Sequence, residues 1–307
     1  MTATLANSDT VANSARRTPW AMLGHDAVGS MTSEEALQRG DLDWDVKLRS
    51  LYVSLPGDKR VRLEDRKAAV RSTDNAVMGI VSNNYVPFQN RQAFSFTDSL
   101  VETGQAEYDV VGQMRGGKTV FTVMRLPETL DIAGDRHEQF MIVRTAHDGS
   151  AAITAAPIVN RIACTNMVSW SIRTAKTRWT IRHVSNLQEK LAEAQQAIRT
   201  TLDYGKKFAH EAELMMQKSV SDEFVVQTLE DVLPHRPRTE AMIESVMQFY
   251  RESEFNGFTG TAWGAYNALT EYTQHGRDTR SPASMLYNML DGGFATVRNN
   301  FASALLA

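Results

Sequence analysis

A single cysteine, Cys164, stands in a chain of 307 residues. One thiol closes no internal disulfide and supplies no cysteine-based zinc site, which suits a reducing compartment. Long apolar runs are missing too: no window approaches the ~18 consecutive apolar residues that a membrane-spanning helix needs. The stretch MTATLANSDTVANSARRTPW lacks the apolar segment of a secretory leader, so no membrane and a cytoplasmic location are expected. Excess charge of one sign is also scarce. The 33 Lys and Arg against 36 Asp and Glu leave a net charge of −3, which excludes a polycation that adheres to nucleic acid indiscriminately. No internal repeat is visible.

What is present suffices for a substantial core, with 42% hydrophobic residues. Residues 1–18 read as a disordered tail, 19–183 as a mixed α/β region and 184–307 as a helical region packing on it. Thr32 and Glu35 have the spacing of a capping box, predicting a helix to about Gly40. Leu51, Val53 and Leu55 alternate before the turn residues Pro56-Gly57-Asp58, predicting a hairpin. Asn90 is the expected cap of a helix bearing Ala93, Phe94, Leu100 and Val101 and ending at Gly104. Strands are predicted over 106–114, 118–126, 140–146 and 151–159, with Arg115-Gly116-Gly117 and His147-Asp148-Gly149-Ser150 as reversals. Leu187, Leu191, Ala194, Ile198, Leu202, Gly205, Phe208, Ala212 and Met215 then form the stripe of one long helix with a bend at Gly205. Helices follow at 221–233, 239–254 and 261–275, with a last one from Ser284 broken near Gly292-Gly293. The expected fold class is α+β: a central antiparallel β-meander packed by a long helix, with a helical C-terminal region.

Several constellations bear on chemistry. GQMRGGKT, from Gly112 to Thr119, formally matches a phosphate-binding loop, but such a loop opens a helix and KTVFTVMRL reads as a strand. Cys164 sits in IVNRIACTNMV, among apolar neighbours that suit a buried structural thiol better than a nucleophile activated by His147. Asn267, Glu271 and His275 share a helical face, yet two ligands without a third make no metal site. No metal and no cofactor are expected, and no catalytic residue is assigned.

Charge distribution is more informative than its total. Between Arg161 and His183 there is no acid, and Trp170 and Trp179 lie among the cations. One reading is a solvated face. The other is a track for a phosphate backbone with aromatic platforms for bases, in which Arg161, Arg173, Lys176, Arg178 and Arg182 contact phosphates and Trp179 stacks on a base.

The segments WAMLGHDAVGSMTSEEAL, YVPFQNRQAFSFTDSLVETG, MRGGKTVFTVMRLP, HDGSAAITAAPIVNRIACTNMVSW and GTAWGAYNALTEYTQH together resemble the phage/plasmid-like proteins, a family known as a domain of unknown function, over about residues 19–306. The resemblance implies a mobile-element origin in a bacterial host, and its recognisable positions are Asn90, Gly117, Asp148, Gly149, Arg161, Cys164 and Asn166. It brings no established reaction. The expectation is a nucleic-acid-binding protein, with single-stranded DNA favoured, acting in replication or recombination. The alternatives are a nucleotide-dependent enzyme using Lys118 and Thr119, a thiol enzyme using Cys164, or an oligomer that assembles through its long helix.

Overall fold

The computed structural model describes residues 20, 24–29, 31–150, 153–161, 179–180, 187–252, 257–276 and 292–307. Strand β1 (Gly24–Gly29) leads to helix α1 (Ser33–Arg39), whose start is the expected capping box. The Thr32 hydroxyl accepts from Glu35 N at 3.2 Å and the Glu35 carboxylate accepts from Thr32 N at 2.8 Å. The Asp98 carboxylate adds to the cap, accepting from Ser33 N and Ser33 Oγ at 2.5 and 2.9 Å. Strands β2 (Val46–Ser54) and β3 (Arg60–Arg71) form the expected hairpin, with Gly57 and Asp58 at φ of 78° and 55°. A third strand, β4 (Val77–Ser82), pairs with β3, so the unit is a three-stranded sheet ordered β2-β3-β4.

The helix expected after Asn90 is two short ones, α2 (Asn90–Phe94) and α3 (Asp98–Glu102), and Asn90 is not the cap. Gln89 holds that position, and its N–H donates to Gln92 Oε1 at 3.1 Å. Its own side-chain amide pairs with both backbone groups of Val46, at 2.8 and 3.1 Å. Asn90 turns inward instead, to a buried role described below. Gly104, at φ 67°, follows α3.

The meander forms as expected from β5 (Glu107–Met114), β6 (Thr119–Ile132), β7 (Asp135–Ala146) and β8 (Thr154–Arg161). It is widened by β1 on β5 and by the two-residue β9 (Trp179–Thr180) on β8, giving a six-stranded antiparallel sheet ordered β1-β5-β6-β7-β8-β9. β6 and β7 run well past the predicted stop near Leu126. Pro127 reads as a strand breaker because it lacks the N–H a ladder needs. Here it falls in an irregularity between Arg125 and Thr129, after which pairing resumes to Ile132↔Asp135. Ala133 and Gly134, at φ 49° and 87°, make the two-residue reversal. Both faces of the sheet are covered, and nearly all of β7 is buried. Met124, Met141, Val143 and Ala155 join a core with Ala194, Ala197 and Ile198, while Phe121, Phe140, Ile142 and Ile158 pack on the other side with Trp20.

Helix α4 (Leu187–Gln217) runs unbroken through Gly205. That glycine serves approach rather than bending: a Cβ there would lie 2.0 Å from Gln139 Oε1 on β7. Helices α5 (Asp222–Val232), α6 (Thr239–Glu252), α7 (Ala262–His275) and α8 (Gly293–Leu306) follow among the described residues, while the expected helix start at Ser284 lies outside them. The first half of α4 belongs to the sheet's core and its second half, through Tyr204, Phe208, Ala212 and Met215, to a separate helical core around Trp263 and Tyr266. α7 is buried along almost its whole length. The Trp263 indole N–H donates to Asp135 Oδ2 at 3.2 Å, tying this helix to the β6–β7 turn. The α+β class, the central meander, the long helix across it and the helical C-terminal region are thus all present. Among the described residues no helix is long and apolar enough to cross a membrane.

Candidate nucleic-acid interface

The expected cationic track lies mostly outside the described residues: Cys164, Asn166, Trp170, Arg173, Lys176, Arg178 and Arg182 all do. Arg161 closes β8 opposite His137, and its side chain is likewise outside them. Trp179 is described. Its indole is half-buried against the sheet's core and its N–H donates to Glu193 Oε2 at 2.6 Å, so part of the ring is already engaged by the protein.

The described residues hold a second cationic surface that a search for acid-free stretches passes over, because it contains acids. On the β2–β3 ribbon, Ser50 faces Lys67, Tyr52 faces Arg62 and Ser54 faces Arg60. Paired residues share a face, so Arg62 and Arg60 lie along β3 beside Tyr52, which is 55% exposed, while half-exposed Lys67 takes that face beyond the irregularity in register where Glu64, Asp65 and Arg66 have no β2 partner. Arg62 lies 3.6 Å from Glu64 and Arg66 lies 3.4 Å from Asp65, both exposed pairs that water and salt screen. Lys47, Arg49, Lys59, Arg60 and Lys67 have no acid partner among the described residues. The signal was in RVRLEDRK, where Arg60 and Arg62 alternate with Val61 and Leu63 at the two-residue period of a strand, putting charge on one side and apolar groups on the other.

At the other end of this sheet, several positions singled out in the sequence converge. The β5–β6 and β7–β8 reversals lie side by side, with Arg115 Nη1 3.1 Å from Asp148 Oδ2. Gly79 on β4 packs so tightly against Asp148 that a Cβ would lie 2.7 Å from the Asp148 Cα. Gly117, at φ 89°, leaves no room beside Arg71 and Gln113. Burial alone would raise the Asp148 pKa, but its bonds with Ser150 and the nearby Arg115 outweigh it and hold the carboxyl below its ordinary value.

His147 sits fully buried behind this turn. Asn90 Nδ2 donates to Leu42 O at 2.8 Å, which aims Asn90 Oδ1 at His147 Nε2, also at 2.8 Å. Because that oxygen can only accept, Nε2 carries the proton and Nδ1 is the bare nitrogen. Nδ1 is buried with no hydrogen-bond partner, and the Trp44 ring meets the imidazole edge-on at 5.1 Å. Burial pushes the His147 pKa down to about 4. A neutral ring locked this way joins α2, the α1–β2 link and the β7–β8 turn.

Lys118 and Thr119 do not sit at the head of a helix. A one-turn 3₁₀ segment, Arg115–Gly117, runs directly into β6 with Met114↔Thr119 as the first pair, so the phosphate-loop geometry is absent. Asn267, Glu271 and His275 share a face of α7, with the first two buried, and no grouping of three or more His, Cys, Asp or Glu that could hold a metal is found among the described residues.

No curated protein and no solved structure matches the chain. A family model described as Domain of unknown function (DUF932) matches residues 77–290, from β4 to beyond α7. That span takes in the meander, the Asn90–His147 junction, α4 and α7, and covers well over half of the sequence; the chain belongs to the DUF932 family.

Proposed function

We propose that this protein binds nucleic acid, with single-stranded DNA as its preferred form, and serves replication or recombination of a phage or plasmid in the cytoplasm of a bacterial host. One observation carries the reading. The β2–β3 ribbon presents Arg62 and Arg60 on the face of an exposed Tyr52, with half-exposed Lys67 on the same face beyond a break in the register. Phosphates spaced along a strand are met by such cations, and a base has a face to stack on; each base–aromatic stack contributes about 1–3 kcal/mol. Tyr52 suits that role better than Trp179, whose ring is half-buried. In this reading Arg161, Arg173, Lys176, Arg178 and Arg182 form a second contact segment. The ribbon lies before the span matched by the family model, so the proposal rests on this chain's own residues.

The test is an anisotropy titration with labelled single-stranded and duplex oligonucleotides across a salt series. Binding of the single strand should weaken steeply with salt. The slope of log K against log salt should become shallower by about 0.7 for each phosphate contact removed by Arg60→Gln or Arg62→Gln. Tyr52→Ala should weaken binding with the salt slope unchanged. No binding of either form at low salt, or unchanged binding by all three variants, rejects the ribbon as the interface.

A further inference from the structure

Nine large hydrophobic side chains stand exposed among the described residues, and they are not scattered: seven belong to residues 52–86 and the other two are Leu214 and Phe224. Pairing locates most of the first group on the face of the three-stranded sheet opposite the Tyr52–Arg62 ladder. Val53 faces Val61, Leu51 faces Leu63, Ala68 faces Ile80 and Val70 faces Val77. Val77 and Ile80 are 60% and 58% exposed. Lys47 and Arg49 alternate onto this same face, so the apolar stripe is edged by cations. Leu214 and Phe224, 45% and 39% exposed, lie where α4 ends and α5 begins. Their exposed neighbours Glu213 and Glu223 are acids, and the Lys218 amine lies 5.5 Å from the Phe224 ring centre. The two patches are well separated. The sheet packs in the same core as Ile198, and Leu214 lies about 24 Å further along α4.

We infer that the chain assembles head to tail, the apolar face of the β2–β4 sheet of one copy covering the α4–α5 corner of the next. Apolar meets apolar, and Lys47 and Arg49 meet Glu213 and Glu223. Like-with-like pairing of two sheet faces would instead oppose cation to cation. Because the contact joins two different surfaces, each copy keeps one of each free, and growth continues into a ring or a filament. The Tyr52 ladder lies on the other side of the sheet, past the part where Val46, Leu48 and Ala69 pack that side onto the chain's own core, so successive copies would present it repeatedly along one strand of nucleic acid.

The test needs no nucleic acid and so stands apart from the binding titration. Sedimentation velocity of the full chain over a concentration series should show mass increasing beyond one copy, less so at high salt. V77D/I80D on the sheet and L214D/F224D on the corner, both at exposed positions, should each run as a single copy with far-ultraviolet circular dichroism unchanged. Mixed in equal amounts, they should form a complex of two copies and no larger, because one retains a good corner and the other a good sheet. Wild type that stays a single copy, either variant assembling by itself, or a mixture that remains single overturns the inference.

Discussion

His147 offers a measurable consequence of burying a neutral imidazole. In the unfolded chain its ring titrates near 6.5; folded, burial holds it near 4. Between those two values the unfolded state binds the proton and the native state does not. The native fold therefore keeps its full advantage above about pH 6.5 and loses it as the pH falls towards 4, at about 1.4 kcal/mol per unit through the middle of the window. By pH 5 the loss reaches about 2 kcal/mol. A His147→Gln variant lacks the ring. At pH 7.5 it should be less stable than wild type by about 1–3 kcal/mol, through lost contact with Trp44 and a disturbed bond to Asn90. On acidification it should be spared the titration. Urea unfolding followed by circular dichroism at pH 7.5, 6 and 5 compares the two proteins, and every other titrating group cancels in the difference. The gap should shrink by about 2 kcal/mol at pH 5. A gap that stays constant or widens would falsify the locked neutral ring and would mean that Nδ1 finds an acceptor when protonated, with Asp148 the nearest candidate.

Gly264→Ala should destabilise the protein even though alanine is the better helix former by about 1 kcal/mol. A Cβ there would lie 2.1 Å from the Phe258 carbonyl oxygen, a backbone atom, and overpacking of this kind costs about 1–3 kcal/mol; a raised melting temperature would show that the loop yields. Asp98→Ala removes the acceptor for Ser33 N and Oγ and should lower stability to urea by about 1–2 kcal/mol, and an unchanged midpoint would mean that water replaces it. Arg298, wholly buried in α8 near Tyr204 and Tyr266, should be the most costly of the three. Arg298→Ala, which leaves a cavity where a large side chain was wholly buried, is expected to lose about 2–5 kcal/mol in the same assay, and an equally stable variant would refute an integral role.

Local rules were readable where one residue type settles the backbone. The Thr32–Glu35 cap, the glycine-bearing reversals at 57, 116–117 and 149, and the stripe along α4 are visible in the sequence because each rests on contacts a few residues apart. Where the deciding contact is distant, pattern misleads. Asn90 has a good cap residue's chemistry, but its amide is committed to Leu42 and His147, 48 and 57 residues away. Pro127 reads as a stop, yet the ladder steps around it. Gly205 looks like a hinge until β7 is placed against it. β1 is a short edge strand with only Ala27 and Val28 apolar, so its composition does not announce it; β4, VMGIVS, is apolar but only six residues long, and so short an apolar run does not by itself distinguish strand from helix. The ribbon's cations were hidden by Glu64 and Asp65, whose charges cancel in a running sum while their side chains leave Arg60 and Lys67 unpaired.

Strand β7 is enclosed on both sides, but part of that enclosure arrives late. The bond from Trp263 to Asp135 spans 128 positions, which a ribosome takes on the order of 10 s to add. Throughout that interval the newly made meander carries an apolar surface awaiting α4 and α7. Holding chaperones should therefore engage nascent chains halted before α7 and release those that extend past it.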